Sequence, residues 1–306
     1  MARYLASRLL VMPPILLGVV TILFLIFKMV PGDQALLAAG ATATQAEIET
    51  IRHQLGLDRP LLAQYGAHLL GLLHGDFGYS TMFRGNPLPH ILERVPATLT
   101  LAASAILVTI VIGIPAGILA ASRQNRLADL LVSGSVTAFL SVPNFWLGML
   151  LIAILSVGLR WLPSFGFDGL HSLVMPTLAL AARLVAIIAR LTRGLVIEEM
   201  RKPYVRTALA KGLTMHRVLW RHVLPNAMIP IITALGLEAG YLLGGSVVVE
   251  RLFAWPGIGD LLLGGIGVRD YTLILAITVL FALGFLLLNL AVDLVCLAVN
   301  PRLRNG

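Results

Sequence analysis

The chain of 306 residues has a single cysteine, Cys296, so it forms no intrachain disulfide and holds no cysteine-based metal site. The position of Cys296 in the last apolar run reads as a buried, inert thiol. Charge is equally scarce. Only 12% of the residues are Asp, Glu, Lys or Arg, against about 25% in an average globular domain. The sequence has no G-x-x-x-x-G-K-[ST] phosphate loop, so any ATP must be handled on another chain. It also has no H-E-x-x-H or G-x-S-x-G string, and its histidines are scattered, which leaves a membrane enzyme without a constellation to carry it. Aromatic residues make up 7% and are not interleaved with the basic ones, so the formal charge of +8 does not point to nucleic acid.

What is there is apolar: 58% of the chain, above the globular norm of about 45 to 50%. A helix needs about 20 apolar residues to cross a hydrocarbon core. Six segments qualify: Leu9 to Val30, Ala97 to Ala121, Leu130 to Val157, Leu173 to Leu191, Ala227 to Val249 and Tyr271 to Ala298. Helices are required, because lipid offers no partner to open backbone groups. The expected fold is therefore an all-α integral membrane protein with six transmembrane helices. Arg3 and Arg8 precede the first segment, which exceeds the core of about 7 to 15 residues found in a cleaved signal and reads as an uncleaved span. The fourth segment, interrupted by Arg183 and Arg190, is the weakest of the six.

Positive residues are retained on the cytoplasmic side. With both termini inside, thirteen Lys and Arg fall in inner segments and seven in outer ones. Three regions follow: residues 1–30, the amino end and first span; 31–96, an extracytoplasmic segment; and 97–306, a five-helix core with a cytoplasmic loop over 193–225. In the outer segment Thr44 and Glu47 have capping-box spacing for a helix that stops at Gly56. A second helix is expected from Pro60, as its first residue, to Gly75. A lid packed on the spans and a substrate-binding surface are both open roles for this segment.

The basic stretch at 206–225 is the one polar, helix-like segment of the inner side. Pro203 suits the first turn of a short helix and Gly212 its stop, with Val205, Ala208 and Leu209 on one face and Arg206 elsewhere. Thr214 is placed to cap a second helix to His222, after which Pro225 breaks the chain before the fifth span. Two short helices tethered to spans make a lever. A positive-inside anchor lying against anionic headgroups is the plainer reading.

At these residues the sequence resembles the permease subunits of ATP-binding-cassette importers, in the dipeptide, oligopeptide and nickel branch. That family's loop has the pattern EAA, three residues, G, nine residues, I-x-LP. Here Arg206, Thr207, Ala208, Gly212, His222, Leu224 and Pro225 stand at that spacing within the string YVRTALAKG, with Arg206, Thr207 and His222 departing from the general pattern. Further matching strings are MVPGD at 29–33, LGLDRP at 55–60, GDFGYS at 75–80, PNFWLG at 143–148, WPGIG at 255–259 and NPRLR at 300–304. The resemblance implies an inner-membrane permease whose loop, through Tyr204, Arg206, Thr207, Ala208, Lys211, Gly212, Leu224 and Pro225, docks on a separate ATPase. It implies as partners a second similar permease, two ATPase subunits or domains holding ATP and Mg, and an extracytoplasmic substrate-binding protein. This chain itself would be no enzyme and would carry no cofactor.

Gly236, Gly240 and Gly244 recur on one face of the fifth span, as do Gly113, Gly117 and Ala121 on the second. Such stripes are either static packing or a sliding seam. Pro143 and Pro230 are expected to kink the third and fifth spans. Glu238 and Arg183 sit near mid-span, where a charge costs about 2.5 to 3.5 kcal/mol on insertion scales. They either neutralise each other or line the path, and Asn144 is a further path candidate. An ion-coupled secondary transporter is the rival class, because a buried carboxylate in broken helices also suits ion coupling.

Overall fold

The computed structural model describes residues 2–29, 34–40 and 43–299. Apart from Met29, the 29–33 and 300–304 strings lie outside these residues. The helices are α1 (Ala2–Met29), α2 (Gln34–Ala39), α3 (Gln45–Gln54), α4 (Leu61–Leu73), α5 (Leu88–Ser122), α6 (Leu127–Ser141) and α7 (Asn144–Gly158). They continue with α8 (Leu170–Met200), α9 (Pro203–Ala210), α10 (Met215–Gly245), α11 (Val247–Leu252), α12 (Ile258–Gly267) and α13 (Tyr271–Val299). Every regular element among the described residues is helical, apart from an isolated bridge between Ser80 and Gly85. Five helices are long and apolar enough to cross a membrane, and six spans result if α6 and α7 count as one.

That pair corrects the third expected span. The chain bends by 102° between α6 and α7, far more than a kink. Val142, the residue before proline, is extended at φ −98° and ψ 123°, and Pro143 follows at ψ 139°. The pyrrolidine ring disfavours helical geometry at the preceding residue, so one helix ends at Ser141 and another starts at Asn144. Pro230, by contrast, lies within the uninterrupted run of α10.

Pro225 does not break the chain either. It stands inside α10, directly after a π-helical turn at Leu219–Val223 and one ordinary residue, Leu224. Pro115 in α5 follows another π-turn, Thr109–Gly113, in the same way. A proline in a helix lacks the donor for its i−4 carbonyl and collides with it. A wider i→i+5 turn makes room at that point, so the helix continues.

The chain forms two compact units, Met1–Pro96 with Asp260–Gly284, and Ala97–Gly259 with Phe285–Gly306. In the first, α3 starts at a complete capping box: Glu47 N donates to Thr44 Oγ1 at 3.4 Å and Thr44 N to Glu47 Oε2 at 2.7 Å. The Thr44 backbone N–H, and then its hydroxyl at 2.9 Å, donate to the Glu47 carboxyl and hold it below its ordinary range. Gly56, at φ +64°, follows the helix end. Pro60 is the N-cap of α4 and not its first helical residue, because its ψ of 146° is extended. The face of α4 lies on α1: the Tyr65 and Thr21 hydroxyls are 2.6 Å apart, and the Tyr65 ring centroid is 5.3 Å from that of Phe24. Buried Asp270 ties the loop before α5 to the start of α13, accepting from Ser80 Oγ at 2.6 Å, Met82 N at 2.9 Å and Leu273 N at 3.0 Å.

The second unit is organised by α8, the helix expected to be the least secure span. Its most apolar stretch is 61% buried, the highest value among the spanning helices. Small residues explain this. An added Cβ at Gly117 would stand 2.5 Å from Ala189 O and 2.6 Å from Thr192 Cβ, and one at Gly113 would stand 3.2 Å from Val185 O. The backbones of α5 and α8 therefore touch, which lipid cannot prevent because it is no more apolar than the helices themselves. On α10, Gly236 and Gly240 admit Val292 and Phe285 of α13, whereas nothing lies within 4 Å of a Cβ at Gly244. The expected three-glycine seam is thus two glycines long. Cys296 is half-buried, its Sγ 3.4 Å from Thr233 Oγ1, and not sealed in the interior.

Candidate coupling segment and intramembrane ion pair

The segment after α8 is built by local chemistry. Lys202 is the N-cap of α9 and Pro203 its first residue, where the missing N–H removes nothing. The helix ends in a Schellman motif: Gly212 N donates to Leu209 O at 2.9 Å and Leu213 N to Ala208 O at 3.3 Å. This closure needs φ +85° at Gly212, where nothing else lies within 4 Å of an added Cβ. Backbone freedom, and not space, is what requires glycine there. Thr214 Oγ1 then accepts from Arg217 N at 3.4 Å and opens α10.

One face of α9 is held from behind. Val205 is 2% exposed and packs with Val196, Val218, Leu219 and Val223, while Tyr204, Ala208 and Leu213 border that cluster. Leu209, expected on the same face, is 37% exposed and turns outward with Arg206, Thr207 and Lys211. Buried contact follows 204, 205 and 208, so the face is rotated by one residue from the one anticipated.

Tyr204 joins three pieces of chain. Its hydroxyl donates to Glu199 Oε2 at 2.6 Å, at the end of α8, and accepts from Asn226 Nδ2 at 3.4 Å on α10. Asn226 Nδ2 also donates to His222 O at 2.8 Å. Burial, reinforced by the bond to Glu199, pushes the Tyr204 hydroxyl above its ordinary range. The Glu199 carboxylate also receives the Lys202 ammonium, which that bond holds above its own range. Tyr204 thus bonds α9 to both α8 and α10, beside the apolar contacts of Val205. Leu224 packs on the same cluster, and Pro225 is exposed.

The path candidates separate into two groups. Arg183 Nη1 lies 3.4 Å from Glu238 Oε2, with side chains 33% and 21% exposed, and the Arg183 guanidinium sits 4.8 Å from the Tyr241 ring centroid. Arg183 and Glu238 are thus one half-buried unit joining α8 to α10. Asn144 opens α7 at the elbow, half-buried, with no side-chain bond to that pair.

Two buried polar centres escaped the sequence reading. Glu250 is fully buried and accepts from Thr98 Oγ1 and Ser246 Oγ, both at 3.0 Å, and from Gly259 N at 2.7 Å. A Cβ at Gly257 or Gly259 would stand 2.2 and 2.8 Å from its Oε2, which is why the WPGIG string has glycine at both places. Asp129 accepts from Arg193 Nε at 2.6 Å and Nη2 at 2.8 Å, a bidentate clasp between α6 and α8. The glycines around Trp255 were the available signal for the first; the second carried none.

Residues 113–305 match the family described as "Binding-protein-dependent transport system inner membrane component". Residues 1–102 match "Binding-prot-dependent transport system membrane comp, N-term". The glutathione transport system permease protein GsiC of Escherichia coli strain K12 is 42% identical over 304 residues, 99% of both chains. The protein of the same description in Shigella dysenteriae serotype 1 is equally similar, at 42% over 99% of both chains. Among solved structures, an inward facing conformation of the MetNI methionine ABC transporter superposes with a TM-score of 0.58 at 22% identity, covering 69% of this chain and 96% of that one. A second crystal form of that transporter gives 0.59 at 24% identity, covering 70% and 98%. The full-length match and the helical architecture agree, and the chain belongs to the binding-protein-dependent transport family, as a multi-pass inner-membrane permease subunit of an ABC importer.

Proposed function

We propose that this permease forms half of the translocation pathway of an ATP-driven importer for short peptides, a class that includes the glutathione of its named relatives. The observation that carries the reading is α9: its back is buried and clasped by Tyr204, and its front presents Arg206, Thr207, Leu209 and Lys211 to a partner. In this reading a cytoplasmic ATPase, holding ATP and Mg, grips that front. Tyr204 passes the displacement to α8 and α10, which carry Arg183 and Glu238 along the path. A second, similar permease completes the pathway, a second ATPase domain acts on it, and an extracytoplasmic binding protein delivers cargo. Both termini lie in the cytoplasm. The family leaves an ion-coupled secondary transporter without support.

The test is uptake of radiolabelled dialanine or glutathione by proteoliposomes holding the whole complex. Gly212→Pro removes the N–H that meets Leu209 O and forbids φ +85°, so ATP-dependent uptake is lost while the chain stays in the membrane. Full uptake by that variant, or uptake without ATP, overturns the reading. Glu238→Gln, which leaves Arg183 facing a neutral amide, is expected to lower the transport rate with unchanged membrane abundance.

A further inference from the structure

A cavity of about 420 Å³ lies within the first unit, walled by α1, α4, the loop at 54–59, the loop at 76–81 and the start of α13. Its volume is in the range of small-molecule sites, roughly 300 to 1,000 Å³. Three cations line it, Lys28, Arg59 and Arg269, and among the described residues none of the three has a carboxylate partner. Lys28 Nζ donates to Gln64 Oε1 at 2.6 Å and stands 5.6 Å from the Phe24 ring centroid; neither partner carries charge. Gln64 is itself fixed by donating to Arg59 O at 2.7 Å and Leu57 O at 3.1 Å. Arg269 keeps its side chain although its backbone is in the left-handed region at φ +56°, a conformation that costs a non-glycine residue about 1 kcal/mol.

The lining also holds two carboxylates, and neither is within salt-bridge distance of the three cations among the described residues. Asp270 has the three donors described above, and Asp76 Oδ1 accepts from Gly78 N at 2.9 Å. His68 lines the same space with its Nε2 buried and without a hydrogen-bond partner, and burial keeps its imidazole below the ordinary range. Phe24, Phe27 and Phe77 supply an apolar wall.

We propose that this cavity binds an organic carboxylate, its charge held by Lys28 and Arg269 and its apolar body against Phe24, Phe27 and Phe77. The inference does not depend on which cargo the importer carries. The lining alone carries it.

The probe is N-acetyl-phenylalanyl-alanine, compared with its C-terminal carboxamide, on the full chain in phosphatidylcholine nanodiscs by saturation-transfer NMR and thermophoresis. The blocked amino end separates this site from recognition of a free peptide. The acid is expected to bind about tenfold or more tightly than the amide, as a charged hydrogen bond implies. Lys28→Gln and Arg269→Gln should each lose about that factor, Lys28→Arg should restore it, and Arg84→Gln, outside the lining, should change nothing. Circular dichroism checks that each variant keeps its helices. No binding of the acid, equal binding of the amide, or unchanged affinity in both lining variants overturns the proposal. So does loss of binding when phosphatidylglycerol is added to the nanodiscs, which would assign the cavity to a lipid headgroup.

Discussion

Helices α1 and α8 are both long enough to cross the membrane, and they solve the crossing differently. The most apolar stretch of α1 has mean hydropathy 2.7 and is 6% buried, whereas that of α8 has 2.0 and is 61% buried. In lipid, apolarity does not measure burial. The greasier helix is left largely uncovered by the rest of the chain, and the helix with five alanines and three arginines goes inside, because close backbones and polar pairs hold helices together there. Of the two arginines that made α8 look insecure, Arg183 joins it to α10 through Glu238, while Arg190 is exposed.

Three perturbations sharpen that contrast. Arg193→Ala on α8 leaves the Asp129 carboxylate, 5% exposed, without its counter-charge and with only Asn125 N and Ser133 Oγ as donors, and should lower stability by about 3 kcal/mol. Lys28→Gln on α1 removes a charge whose partner is a neutral amide and should cost under about 1 kcal/mol. Denaturant titration of the two purified variants ranks them, and equal losses would erase the distinction. Next, Gly117→Ala pushes a methyl group against Ala189 O and should cost about 2 kcal/mol. Gly18→Ala on α1, with nothing within 4 Å, should be neutral or slightly stabilising through helix propensity. Thermal midpoints in one detergent compare them directly.

The most local effect lies outside both helices, at the capping box of α3. Glu47 is held below its unfolded value, so its contribution is complete above that value and disappears as pH falls through the lower, folded one. Amide exchange over residues 45–54 should quicken on acidification, and Thr44→Ala should bring the same rate to neutral pH at a cost of about 1 kcal/mol. An α3 that exchanges identically at both pH values in both proteins would remove the box from the stability of this segment.

Local chemistry was legible in the sequence. The Thr44 and Glu47 box, the stops at Gly56 and Gly212 and the cap at Thr214 depend on residues a few positions apart, and each is found where the spacing put it. The paired α5 and α8 backbones were half legible, as a stripe of small residues with no named partner. What the sequence concealed depends on distant or compensating geometry. Pro225 reads as a breaker until the preceding π-turn is seen, and the one-residue rotation of α9 depends on the cluster behind it. Glu250 meets Thr98 from 152 positions away, a pairing that no local pattern announces. The loop over 193–225 was recognisable as a string, but the Tyr204 clasp needed three chain segments brought together.

The elbow at Pro143 has a consequence for depth. At 1.5 Å per residue, α6 and α7 are each about 22 Å long, and two such arms meeting at the observed bend reach about 28 Å end to end, barely the thickness of a hydrocarbon slab of about 30 Å. As a single crossing the pair must therefore stand with its ends at the two interfaces and its corner thrust sideways at half height. Interrupted backbone at that level survives only beside protein or water. The corner, with Asn144 at its tip, consequently turns away from the acyl chains.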